Sequence, residues 1–145
     1  HQSKILNTIN SIQEKKENAI DELFHIDEHV CQILKNRPPR LITNLKKLYP
    51  SVWSILVDIR KKHLFSCISQ NIKNGKTQGV YRKEVKEDII AKLVINTADA
   101  IVDEDIFPLT QYDFKQLLLE NRIYHIRGIA TQKGTTYLEN KLKND

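Results

Sequence analysis

Apolar residues recur along most of this chain at intervals of three and four, the period of a helix with one inward face. Ile5, Leu6, Ile9 and Ile12 open the pattern with no capping residue ahead of them, as expected of a helix whose start lies further upstream. Asn18 is placed to cap a second helix, with Asp21 and Glu22 in its first turn, where the helix dipole favours negative charge. Ile20, Leu23, Phe24, Asp27, Val30, Cys31 and Leu34 carry its period, and Pro38-Pro39 must stop it near Asn36–Arg37. Leu41, Ile42, Leu45 and Leu48 predict a short amphipathic helix ended by Tyr49-Pro50. Pro50 suits the first turn of the next helix, the longest, expected to run to about Asn74 with Gly75 as its C-cap. Val52, Trp53, Ile55, Leu56, Ile59, Leu64, Phe65, Cys67, Ile68 and Ile72 cover more than half its circumference, which marks it as the central helix.

The stretch from Lys86 to Ala130 reads as two helices joined by an acidic, proline-bearing turn containing Phe107-Pro108. The first, near Lys86–Asp103, has two apolar stripes, one of Ile89, Leu93, Asn96 and Ala100, the other of Ile90, Val94, Thr97, Ala98 and Ile101. The second, near Gln111–Ala130, places Phe114, Leu118, Asn121, His125 and Gly128 on one side and Leu119, Ile123, Ile126 and Ala130 on another. A helix at the edge of a monomer needs one apolar stripe. Two stripes imply two neighbours, so this hairpin is expected to be a self-association surface. Asp103, Glu104 and Asp105 fall at the C-terminal end of the first hairpin helix, where the dipole disfavours them. Lys133-Gly134 is expected to break the chain before a last short helix over Thr135–Lys143.

The length of 145 residues suits one domain with a core of its own. Four glycines and four prolines are too few punctuators for a many-stranded β fold, so the chain is expected to be all-α, a bundle of about six to seven helices. No apolar run approaches the length of a membrane span, and no N-terminal segment reads as a signal peptide. A chain that starts at His1 and holds no methionine is expected to be a fragment or a processed product. The net charge of +5 is spread among interspersed acids, with mild clusters at Lys35–Lys47 and Arg60–His63, and reads as solvated helix faces rather than a nucleic-acid site. Cys31 and Cys67 form no C-x-x-C pair, which fits two buried, reduced thiols in a cytoplasmic protein.

Candidate chemistry is sparse. His25-Ile26-Asp27-Glu28-His29 fits H-x-x-E-H, in which His25 and His29 share a helix face as two zinc ligands must and Glu28 would polarise a bound water. No third ligand is marked, so a small zinc hydrolase is the lesser reading. Asp99, Asp103, Glu104 and Asp105 lack the oxygen-ligand spacing and the glycine of a calcium loop. A nucleophilic pair of Cys31 or Cys67 with a histidine has nothing to place its members together. No cofactor is expected. Phe24, Trp53, Phe65 and Tyr81, with His25, Asn96 and Cys67 as polar points, either fill a core or line a ligand cavity.

Several runs carry a resemblance. Asn44-Leu45-Lys46-Lys47-Leu48-Tyr49-Pro50-Ser51-Val52-Trp53 resembles the start of the long helix in the C-terminal domain of TetR/AcrR-type transcriptional regulators. Asn74-Gly75-Lys76-Thr77-Gln78-Gly79-Val80-Tyr81-Arg82 is similar to that family's G-x-x-x-G-x-Y-R connection, and Glu87-Asp88-Ile89-Ile90-Ala91 opens the next helix in the same way. Ile106-Phe107-Pro108 and the run from Tyr124 to Thr131 resemble the hairpin turn and the closing helix. The likeness spans residues 18–134.

It implies a regulatory domain without catalytic residues, divided into a remnant of a connecting helix (1–17), a body (18–84), a dimerisation hairpin (85–130) and a tail (131–145). The last two long helices would pair with their copies in a homodimer. Contacts are expected from Ile90, Val94, Thr97, Ala98, Ile101, Leu118, Asn121, Arg122 and His125. An effector pocket is expected from Phe24, Trp53, Leu56, Phe65 and Leu93. The effector would act by binding two conformations unequally, so that a repressor's affinity for operator DNA falls. The family's N-terminal helix-turn-helix is absent from this stretch, so DNA contact would need that missing head. A dimeric helical adaptor without effector is the alternative.

Overall fold

The computed structural model describes residues 17–38 and 40–144; the helix expected over Ile5–Ile12 lies outside them. Six helices follow one another among the described residues: α1 (Ala19–Lys35), α2 (Leu41–Leu48), α3 (Pro50–Thr77), α4 (Glu87–Ile101), α5 (Phe114–Ile129) and α6 (Gln132–Asn144). The all-α reading holds, and the only extended pairing in the described region is an isolated antiparallel bridge between Tyr81 and Ala130. Local chemistry sets most boundaries. The Asn18 side chain accepts from the Ile20 N–H and that of Asp113 from the Gln116 N–H, as N-caps do. Pro50 occupies the first turn of α3, where its missing N–H costs nothing.

Two glycines read as helix punctuation have a different use. Gly75 is not a C-cap: α3 continues through it to Thr77, and a Cβ at this position would overlap the Tyr81 ring. The left-handed residue is Gly79, with φ +77. Gly134 does not break the chain either. It lies in the first turns of α6, where a Cβ would overlap the Val80 carbonyl. Both are glycine because another segment comes too close for a side chain.

The main core gathers where α1 begins and α3 and α5 end. Ile20, Leu23, Ile72, Val80, Tyr81, Ile126, Ile129 and Leu138 are buried there together. Polar groups run through it. Tyr81 Oη donates to Asn71 Oδ1 (2.9 Å), and Asn71 Nδ2 donates to the Ala19 carbonyl (3.0 Å) and Glu22 Oε1 (2.9 Å). Gln78, just past α3, holds the start of α1 twice: its Oε1 accepts from the Ala19 N–H (2.8 Å) and its Nε2 donates to the Glu17 carbonyl (3.0 Å). α6 closes this end, with Tyr137 Oη hydrogen-bonded to Asp21 and Lys141 Nζ 3.1 Å from the same carboxylate.

The opposite end is built of α2, the first half of α3 and the turn between α4 and α5. Leu48, Tyr49, Val52, Ile55 and Ile59 are exposed there. The acidic turn at this end is offset by cations from α2 and the residue before it, with Lys46 Nζ 3.5 Å from Asp103 and Arg40 Nη2 3.3 Å from Asp105.

Candidate functional site

α4 has two apolar faces. Ala91 and Ile95 turn inward and are buried, and α3 is the helix most extensively packed against α4. Ile89 and Leu93 turn outward, and Leu93 is 58% exposed. On α5, Leu119 and Tyr124 are outward too, Tyr124 at 83%. Between the two helices lies an open groove of about 640 Å³ lined by Leu93, Asn96, Thr97, Ala100, Leu117 and Tyr124, among others. A second open cleft, about 500 Å³, lies between α3 and α4, with Phe65 and Ile95 among its walls and Lys61, Lys62 and Lys92 around it.

The residues expected at a self-association face therefore divide. Thr97, Ile101 and Asn121 line the α4–α5 groove. Ala98, Val94 and Leu118 are half-buried on the same helices. Ile90 packs against the main core. Arg122 turns inward: its Nε and Nη2 donate to the two carboxylate oxygens of Asp27 on α1, both at 2.7 Å. Burial works against that guanidinium, but the Asp27 charge and hydrogen bonds outweigh it and raise its pKa. Burial, then the neighbouring Arg122 charge, push the His125 imidazole down to about 3, so it is neutral at physiological pH. The outward stripe on α4 is the one of Ile89, Leu93, Asn96 and Ala100. The face that α3 covers, Ala91 and Ile95 with Asp99, belongs to neither stripe read from the sequence; of the second stripe Ile90 packs on the main core and Thr97 lines the outer groove.

The residues expected around a pocket are not brought to one place. Phe24 packs on the main core beneath Lys141, whose Nζ is 5.2 Å from its ring centroid. Trp53 lies under Lys46 of α2 at 5.3 Å. Phe65 lines the α3–α4 cleft, and Leu56 is half-buried on α3. Leu93 stands apart from all of them in the outer groove, because α4 turns that face away from α3. Across the α3–α4 interface Arg60 pairs with Asp99, and burial lowers the Arg60 pKa. His29 on α1 and His63 on α3 each bury an Nε2 with no hydrogen-bond partner among the described residues.

Among the described residues the hydrolase chemistry does not assemble. His25 is exposed and pairs with Glu17 at 2.8 Å, and no group of three or more His, Cys, Asp or Glu side chains is arranged to hold a metal among the described residues. Burial, and secondarily the Glu22 charge, push the Cys67 thiol up to about 11, the wrong direction for a nucleophile. No described helix is long and apolar enough to cross a membrane. Tyr81, grouped in the sequence with the aromatics that fill a core or line a cavity, is in the core; Asn71, Gln78 and Tyr124 are prominent in the structure and had no distinct role in the sequence. For Tyr124 the available signal was its seven-residue spacing from Leu117, which puts both on one side of α5, where they line the groove.

A long helix, a hairpin with an unpartnered apolar face and a connection closed by Gly79-Val80-Tyr81-Arg82 are the features on which the sequence resembled TetR/AcrR-type regulators. No curated protein and no solved structure matches the chain. A family profile described as "YsiA-like protein, C-terminal region" matches residues 2–127. The match covers well over half of the chain, which therefore belongs to this family of TetR-type regulator C-terminal domains.

Proposed function

We propose that this chain is the dimerising and effector-sensing domain of a TetR-type transcriptional repressor. Two copies pair through the outward faces of α4 and α5, forming a four-helix bundle between subunits. The observation that carries this reading is the apolar groove of Leu93, Thr97, Ala100 and Tyr124 in a chain of this family. An exposed apolar patch of this kind marks an association site more often than a free surface. The pairing residues are Leu93, Thr97, Ala100, Ile101, Asn121 and Tyr124, with Ala98, Val94 and Leu118 flanking them.

The effector is a small molecule that enters between α1, α2 and α3. Trp53 and Leu56 supply its apolar wall, and the unpaired Nε2 atoms of His29 and His63 are the polar points it would satisfy, because buried polar atoms are normally hydrogen-bonded. Operator DNA is contacted by a helix-turn-helix head that the family places before this domain, in the cytoplasm.

The pairing half is tested by light scattering on the native chain and on a Leu93→Glu/Tyr124→Glu variant. The expected result is a dimer that becomes a monomer with an unchanged circular-dichroism spectrum, since both side chains are exposed within the protomer. A variant that keeps the dimer mass would remove this face from the interface.

A further inference from the structure

α2 differs from every other helix in how it is held. Thr43 is its only buried residue, and Leu41, Ile42 and Leu45 are only partly covered. α3 is the helix it packs on. Among the described residues its remaining ties are polar and reach one place, the turn after α4. The Arg40 N–H donates to Glu104 Oε1 (3.1 Å), Arg40 Nη2 meets Asp105, and Lys46 Nζ meets Asp103. Glu104 is 7% exposed, so this is a buried carboxylate aimed at the first residue before a short helix rather than a solvated surface acid.

Both ends of α2 are bends. Arg40 has φ 57 and ψ 21, a left-handed backbone that a residue with a side chain adopts at a cost. Tyr49 caps α2 and starts α3 at once, with Pro50 after it. A segment with little buried apolar area between two bends is drawn from the low-stability end of a fold. Beneath it lies Trp53, under the Lys46 ammonium.

We infer that α2 is a hinged lid over Trp53, held shut by Asp103, Glu104 and Asp105 of the turn that joins α4 to α5. The three acids sit at the C-terminal end of α4, where the helix dipole disfavours them, and the latch is the use that offsets that cost. The same turn belongs to the hairpin proposed above as the pairing surface, so opening the lid releases a tie to that hairpin. That α2 governs access for an effector rests on the proposed function; that it opens separately from the core does not.

Trp53 is the chain's one tryptophan and lies under the lid, so its fluorescence reports directly on α2. The experiment uses the full chain without ligand, native and Glu104→Ala, and compares acrylamide quenching of Trp53 with amide exchange along the chain. The native protein is also followed from about 0.05 to about 0.5 M NaCl, which screens the two ion pairs of the latch, one exposed and one half-buried. The expected result is a rise in quenching of about twofold and faster exchange in α2 by about tenfold, with α1 and α5 amides unchanged. Salt should move the native protein in the same direction, which keeps the test decisive where Glu104→Ala does not fold. Quenching that responds to neither change would overturn the lid. So would α1 and α5 amides that speed up together with those of α2, which would make α2 part of the global core. Neither outcome bears on the dimer mass that tests the pairing face.

Discussion

The two ends of this bundle are held by opposite means. Where α1 begins and α3 ends, polar groups are buried and joined: Tyr81, Asn71 and Glu22 form one hydrogen-bonded chain inside apolar packing. At the α2 end, apolar groups are exposed, with Tyr49, Val52, Ile55 and Ile59 facing outward and long charged side chains providing the ties. A buried polar chain has one satisfactory geometry, since breaking any link strands a desolvated group. Exposed ion pairs contribute little and tolerate rearrangement. The first end is therefore a fixed point and the second is free to change shape.

The sharpest way to break the fixed part is to strip a partner from its buried ion pair. Asp27→Ala leaves the Arg122 guanidinium buried without its carboxylate, and should cost about 3–5 kcal/mol in a urea titration. A loss under about 1 kcal/mol would show that Arg122 reaches water and is not anchored as described.

A second effect, smaller over any one pH unit, is set by acid. His125 is held neutral, with its folded pKa at about 3, below the value of about 6.5 in an unfolded chain. Between those values the unfolded state binds the extra proton. The His125 contribution is complete above about pH 6.5 and falls as pH drops towards 3, by up to about 1.4 kcal/mol per pH unit. Replacing His125 with Gln should flatten that part of the acid limb, measured by urea midpoints at several pH values. An unchanged slope would place the loss on other groups.

The smallest effect belongs to the open end. Ile55→Ser removes an apolar side chain that is 61% exposed and should change stability by no more than about 0.5 kcal/mol. A cost several times larger would mean that this face is covered in solution.

The sequence exposes these two ends unequally. Helix starts and stops were legible because they rest on local chemistry, such as Asn18, Pro38-Pro39 and Tyr49-Pro50. The roles of Gly75 and Gly134 were not, because a glycine that ends a helix and one that admits a neighbour look the same until Tyr81 and Val80 are in place. Likewise the outward stripe of α4 was visible, but its α3-facing side, with Ala91 and Ile95 buried and Asp99 paired to Arg60, was not, because Ala91 is small and Asp99 is charged. Phe24, Trp53 and Phe65 were grouped because all are bulky, whereas the fold gives each a different neighbour.

The Gln78 side chain, bonded to Glu17 and Ala19, has a mechanical consequence. α3 spans 28 residues, about 42 Å of nearly rigid rod. Trp53 sits near one tip, and the backbone leading upstream is tied to the other. A rod of that length tilting by about 5° about its tied end displaces the tip near Trp53 by about 4 Å. The length of α3 thus magnifies any small tilt at the end that Gln78 ties to α1 into a larger shift beside Trp53.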